Sequence, residues 1–301
     1  MKNNQFCLSN YTVFGIGINS VINLPELART TIEPDVFIRI SSEDFAYPDN
    51  KNRQCYGKYS IEEAILSFKG VGSFRIRGGT DIDVWKEPSA DDRLVRMFLH
   101  GIVTAILLHQ RGFFVLHGSC MKIGYRAVGF LGPSGAGKST IAALLHQRGH
   151  DILSEDIVAI NFSTGMPITY PGIPQLKLTE NAIASLKLPF QPVESLYPLS
   201  NEFIYRYARE LTSTCIDMSG IFIITDSDQI NIQPLSQHDA FVALLRNSYT
   251  AKLLEPTHSQ GSHFKQCTQL IDKIPIYLLE RPRDLNVMAE VISNIEKMSY
   301  D

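Results

Sequence analysis

Eight consecutive residues have the types and order to hold a phosphate: Gly132, Pro133, Ser134, Gly135, Ala136, Gly137, Lys138 and Ser139. They satisfy the pattern G-x-x-x-x-G-K-[ST] at each fixed position. The chemistry follows from the residue types. Glycines let the backbone wrap closely around anionic oxygens with successive N–H groups turned inward, and a following helix adds the positive end of its dipole. In this arrangement Lys138 is expected to reach the β- and γ-phosphates of a nucleotide, and the Ser139 hydroxyl to ligate Mg²⁺. With Thr140, the stretch from Gly132 is the expected binding loop for ATP. The competing reading is a glycine-rich turn that merely opens an ordinary helix.

A loop of this kind holds a nucleotide without deciding the fate of its γ-phosphate. That needs a carboxylate near the metal and a group that steers the nucleophile. Asp156 lies eighteen residues beyond Lys138, next to Glu155, inside the apolar run Ile152–Ile160. One helix and one short strand fit in that interval, so the acids can return to the P-loop end of a sheet. Adjacent charges in an apolar run are costly to bury without partners; Mg²⁺, Lys138 and a donated proton would supply them. Ser139, Glu155 and Asp156 are therefore the expected metal-side residues, and the alternative is a solvated turn between two strands. His117, twenty-one residues before Lys138, is expected at the end of a neighbouring strand. A lone histidine there is more often a packed or capping residue than a catalytic one. The other histidines show no metal-ligand grouping.

The elements that must position these residues are legible around the loop. Ala127–Leu131 reads as a short buried strand, Ile141–Leu145 as a helix and Gly149 as its stop, which is the strand–loop–helix context the motif requires. Phe113–His117 and Ala127–Leu131 read as a hairpin leading into the loop. Upstream, Tyr11–Ile16, Val36–Ile40, Ala64–Phe68, Ser73–Arg77 and Ile82–Trp85 read as strands of an antiparallel region, with a turn at Gly78–Asp81. Its expected role is packing, oligomerisation or substrate docking. After a break at Lys86–Ala90, Asp91 and Asp92 can cap one helix carrying Leu94 to Leu108. Lys177–Ser200 reads as partly helical, Gly220–Asp226 as a buried strand, and Ser236–Leu245 as a capped helix. Tyr249–Ile271 reads as helical, Ile276–Leu279 as a last strand and Leu285–Lys297 as an amphipathic helix. The expected domains are a strand-rich region, 1–88, and a core with C-terminal helices, 89–301.

The whole chain sets outer bounds. Its 301 residues, 44% apolar and 20% charged, suit a globular protein with a substantial core. A net charge of −3 gives no reason to expect nucleic acid or an anionic membrane as partner. Five scattered cysteines without a C-x-x-C pair argue for reduced thiols in a cytoplasm. Met1–Gln5 is polar, so no signal peptide is read there. Gly101–Leu108 is too short to span a bilayer. Association into a homo-oligomer is left open.

Taken together, Leu116-His117-Gly118-Ser119, the P-loop from Gly132 to Ser139, Arg148-Gly149-His150 and the pair Glu155-Asp156 resemble the HPr kinase/phosphorylase family. Order and separations match from about Gly112 to Val158, and more loosely beyond. The whole chain looks like the smaller kinases related to HPr kinase, some of which are similar to kinases that modify the C-terminal serine of lasso-peptide precursors. The resemblance implies that Asp156 is the proton acceptor and His117 an active-site residue. It implies that Lys138 binds phosphate and Ser139 binds Mg²⁺. It also implies an α/β fold with a mixed sheet, the kinase core shared with phosphoenolpyruvate carboxykinase, in place of the ordinary Rossmann-like P-loop domain.

Three positions depart from the family pattern. Glu155 stands where aspartate is usual, Thr140 follows Ser139 where glutamate is usual, and Tyr170–Pro174 does not reproduce the E-x-R-G signature. The last removes a clear counterpart for a second metal-binding carboxylate, and with it the expectation of phosphorylase activity or of HPr as acceptor. The expected activity is transfer of the γ-phosphate of ATP, with Mg²⁺, to a serine hydroxyl on a peptide or small protein. An HPr-type regulatory kinase is the near alternative. A nucleotide-binding sensor without transfer is the alternative from another class; an ATPase subunit of a transporter lacks its signature motif. Arg246-Asn247 is read as part of a helix surface.

Overall fold

The computed structural model describes residues 8–45, 54–186, 194–195, 202–206 and 214–300. The Met1–Gln5 segment and, of Lys177–Ser200, residues 187–193 and 196–200 lie outside them. The chain is mixed α/β and divides into two compact units: residues up to Phe114 with Thr250–His263, and Val115–Tyr249 with the chain from Phe264.

The first unit holds eight strands: β1 (Ser9–Val13), β2 (Ile16–Ser20), β3 (Ala28–Arg29), β4 (Val36–Ile40), β5 (Cys55–Tyr59), β6 (Glu63–Phe68), β7 (Gly72–Arg77) and β8 (Asp81–Lys86). They form one sheet in the order β3-β1-β2-β4-β8-β7-β6-β5. Two differences from expectation stand out. The Tyr11–Ile16 run is a hairpin: Phe14 and Gly15 both have positive φ, 52° and 72°, which is the geometry of a two-residue hairpin turn. The sheet is mixed, because β2–β4 and β4–β8 pair in parallel.

Helix α1 (Asp92–Phe98) starts at Asp91, whose carboxylate accepts the Arg93 N–H at 2.9 Å. The single helix expected through Leu108 is broken. A π-turn occupies Leu99–Val103, where Gly101 is non-helical, before α2 (Thr104–Gln110) resumes. The far end of α2 is fastened to β7 and its turn: Gln110 Nε2 donates to the Ile76 carbonyl and Gln110 Oε1 accepts the Gly79 N–H. Both helices therefore belong with the strands, and the boundary read at residue 88 falls inside this unit. Glu26 is buried between Arg96 Nε (2.9 Å) and His100 Nε2 (3.1 Å).

The second unit begins with β9 (Phe114–Ile123), β10 (Arg126–Leu131), α3 (Lys138–Gln147), β11 (Asp151–Ser154) and β12 (Ile157–Asn161). It continues with β13 (Ile168–Thr169), β14 (Gln175–Thr179), α4 (Glu180–Leu186), β15 (Glu194–Ser195), β16 (Glu202–Arg206), β17 (Ile216–Asp226) and β18 (Asn231–Pro234). The last elements are α5 (Gln237–Arg246), α6 (Gln260–Lys273), which belongs to this unit from Phe264 onward, β19 (Ile276–Arg281) and α7 (Met288–Tyr300). The main sheet runs β10-β9-β12-β13-β17-β19-β18 and is also mixed. Long β17 pairs with β13 at its start and in parallel with β10 through Met218–Ile223, closing five strands into a ring. β17 and β19 are parallel. Phe130, Ile141, Ala142, Leu145, Phe222, Leu279, Val291 and Ile292 fill the core between sheet, α3 and α7. β14, β15 and β16 form a separate small sheet.

Among the described residues no helix is long and apolar enough to cross a membrane.

Candidate active site

The glycine-rich loop from Gly132 to Gly137 is a tight turn between β10 and α3. Gly132, Gly135 and Gly137 have φ of 150°, 79° and 92°. At two of them the space is also closed. A Cβ on Gly132 would lie 2.8 Å from the Ile224 carbonyl oxygen, and one on Gly137 would lie 2.1 Å from Arg281 Nη2. Gly137 is the N-cap of α3 and has no side chain to satisfy the free N–H groups of the first turn. The helix ends as the sequence predicts, with Gly149 at φ 96° beyond the cap residue Arg148.

Lys138 is buried, and its Nζ donates to the carbonyls of Gly132 (2.9 Å) and Pro133 (3.0 Å). Burial pulls its pKa down, and the carboxylates of Glu155 and Asp156 oppose that pull. The lysine thus curls over its own loop, held by neutral acceptors that a phosphate can replace.

The acid pair interrupts what is otherwise one strand beside β9: β11 stops at Ser154 and β12 resumes at Ile157. Asp156 takes a left-handed φ of 74°, an uncommon conformation that aspartate tolerates better than most side chains. Its Oδ1 lies 3.2 Å from His117 Nδ1 and its Oδ2 3.1 Å from Lys177 Nζ. Burial alone would raise the Asp156 pKa. The His117 hydrogen bond and the Lys177 cation outweigh it and hold the carboxyl well below the usual carboxylate range. Glu155 behaves in the opposite way. Its Oε1 accepts the Ser139 hydroxyl, and its Oε2 is buried with no hydrogen-bond partner. Burial pushes its pKa up despite the nearby Lys177.

These groups line one cleft of about 340 Å³, together with Ser134, Gly135, Gly137 and Thr140 of the loop and Leu178, Thr179 and Ala182. Of the loop residues expected to hold a nucleotide, Gly132 and Pro133 contribute carbonyls to Lys138, and Ala136 is buried behind the cleft. His117 and Asp156 are brought together. The His117 N–H donates to the Asn247 carbonyl at 2.8 Å, and its ring meets Tyr249 edge-on with centroids 5.5 Å apart. Burial, reinforced by the Asp156 and Glu155 charges, pushes the Tyr249 hydroxyl pKa well up.

Arg148 and His150, part of the matching motif, do not line the cleft. Both bind Glu296 of α7, at 2.6 Å and 3.0 Å, and Arg148 also reaches the Ser293 hydroxyl and the Ala289 carbonyl. Their work is to fasten the last helix. Lys177 was missed at the sequence level, where its segment read as partly helical. It is a strand residue of β14, paired with β16, and the chain entering that strand is tied beside the acid pair where the Gly172 N–H donates to the Leu153 carbonyl at 2.8 Å.

Mg²⁺ fits the donor set. It is typically bound by one or two carboxylates together with substrate phosphates and water. Glu155, with an orphaned buried oxygen beside the Ser139 hydroxyl, is a donor set of that kind.

Fold and site together define a mixed α/β chain with a glycine-loop cleft carrying two carboxylates, two lysines and a histidine. No family model matches the chain, and no curated protein is similar to it. Among solved structures, the Hpr(Ser) kinase/phosphatase from Coxiella burnetii matches 62% of this chain and 96% of its own, at 9% identity and a TM-score of 0.32. A likeness that weak carries no argument about activity, which rests on the residues themselves.

Proposed function

We propose that this chain is an ATP- and Mg²⁺-dependent kinase that transfers the γ-phosphate to a serine hydroxyl of a peptide or small protein. The observation that carries the reading is the shared cleft: the P-loop residues Lys138 and Ser139 line the same cavity as the ionised Asp156. A loose phosphoryl transition state asks mainly for positioning and for charge on the equatorial oxygens. Lys138 and the loop N–H groups supply the charge. Asp156, fixed from two sides by His117 and Lys177, orients the attacking hydroxyl. Its low pKa makes it a weak base, which suits a mechanism in which the hydroxyl proton leaves late. Ser139 and Glu155 would hold the metal; when bound, it neutralises charge on the β- and γ-oxygens.

The acceptor reading, including a lasso-peptide precursor, rests on the family resemblance of the motifs; HPr is the near alternative acceptor. A second class, a nucleotide-binding sensor, is favoured by one observation: both Asp156 oxygens already have partners, His117 Nδ1 and the Lys177 ammonium. Incubation with γ-labelled ATP, Mg²⁺ and serine-containing acceptor peptides decides between them. The kinase labels the acceptor, and the Lys138→Ala variant does not. A wild-type chain that binds ATP and labels no acceptor is the sensor.

A further inference from the structure

Arg281, the last residue of β19, is only 4% exposed. Its Nη2 donates to the Ala136 carbonyl at 2.6 Å and its Nη1 to the Pro282 carbonyl at 2.8 Å. Its Nε is buried and has no hydrogen-bond partner. Among the described residues no carboxylate forms an ion pair with it. Asp226, its partner in the β17–β19 register, is paired with Arg283 at 2.6 Å; it acts on Arg281 only as a nearby charge, and the Arg283 cation opposes it. A guanidinium does not escape burial by losing its proton, and a buried charge without a counter-ion is costly. The fold keeps this one directly behind the P-loop.

Two consequences meet at Gly137. A trans peptide sends its N–H opposite to its C=O. An Ala136 carbonyl held on Arg281 therefore turns the Gly137 N–H away from the arginine. Gly137 itself lines the cleft. A Cβ there would sit 2.1 Å from Arg281 Nη2, so the last loop glycine and the arginine are fitted to each other.

We propose that Arg281 is a positioning residue for polyphosphate: it orients the Ala136–Gly137 peptide and lends, from behind the loop, a positive charge that a bound polyphosphate balances. The inference rests on the nucleotide-binding reading of the P-loop. It names a residue outside every motif in the sequence.

The test is calorimetric titration of the full chain with Mg–ATP, inorganic tripolyphosphate and AMP, for the wild type, Arg281→Met and Arg281→Lys. Loss of a charge-assisted contact predicts Mg–ATP and tripolyphosphate binding weaker by roughly tenfold or more in Arg281→Met, with AMP less affected and part of the loss recovered in Arg281→Lys. A merely structural brace would lower all three affinities by one factor, and that result overturns the proposal. So does a folded Arg281→Met protein with wild-type affinities. Where Arg281→Met fails to fold, Arg281→Lys decides: polyphosphate binding weakened more than AMP binding supports the role, and unchanged ratios overturn it. A wild-type chain that binds none of the three overturns the P-loop reading and this inference with it.

Discussion

Replacing Lys177 with methionine isolates the contact that holds Asp156 in place. Methionine keeps an unbranched apolar stem and removes the charge. The two charged groups are 3.1 Å apart, with side-chain exposures of 22% and 23%. At an effective dielectric constant near 20, their gross attraction is about 5 kcal/mol. Desolvation of Lys177 takes back part of that, and a hydrogen bond to a charged group is worth about 1.5–3 kcal/mol net. We therefore expect Lys177→Met to lose about 2 kcal/mol, a fall in Tm of roughly 4–8 °C for a unit of this size. Urea unfolding and calorimetry measure it. The double-mutant cycle attributes the loss: in an Asp156→Asn background the same change should cost at least about 1 kcal/mol less. Strictly additive losses, or a Lys177→Met protein as stable as the wild type, would show that the pair does not hold the site.

Glu26 makes a separate prediction about acid stability. Burial opposes its charge, yet the His100 and Arg96 hydrogen bonds lower its pKa from 4.5 to about 2. A depressed carboxyl stabilises the fold above its unfolded pKa and loses that contribution as pH falls through the folded value. About 3 kcal/mol should thus disappear between pH 4.5 and 2. Urea melts across that range should show the loss in the wild type and not in Glu26→Gln; parallel curves for both proteins would refute it. His117→Ala should leave Mg–ATP affinity nearly unchanged, lower Tm by less than Lys177→Met because His117 is the more exposed partner, and slow transfer roughly ten- to a hundredfold, since Asp156 keeps Lys177 but loses one anchor. A loss of activity that merely tracks a loss of stability would make His117 a packing residue.

What could be read in advance follows the distance over which each signal acts. The P-loop, the hairpin before it, the helix after it and the break at Glu155–Asp156 are encoded locally, by glycines, apolar runs and charges within a few residues. Lys177 and Arg281 carry no such mark; each lies on a strand paired with a distant segment, β14 with β16 and β19 with β17, and meets its site partner through tertiary contact. Arg148-Gly149-His150, which carried part of the resemblance and no assigned role, has its arginine and histidine side chains on Glu296. In the first unit, the turn at Phe14–Gly15 was hidden because Val13, Phe14 and Ile16 continue the strand-like run on either side of a single glycine. β5 was missed because Cys55–Tyr59 is an edge strand whose outward residues show no buried alternation. The parallel pairs β2–β4 and β4–β8 depend on crossovers that no local pattern specifies.

The kinase reading turns on Asp156, and one measurement tests it most directly: γ-phosphate transfer to a serine-containing acceptor by Asp156→Asn, with Mg–ATP affinity followed in parallel. Asparagine keeps the shape and removes the charge that faces His117 and Lys177. The account predicts that Mg–ATP still binds while transfer falls about 10²–10⁴-fold, the range for loss of a positioned acid–base group. An Asp156→Asn protein that binds Mg–ATP and transfers at the wild-type rate would contradict it.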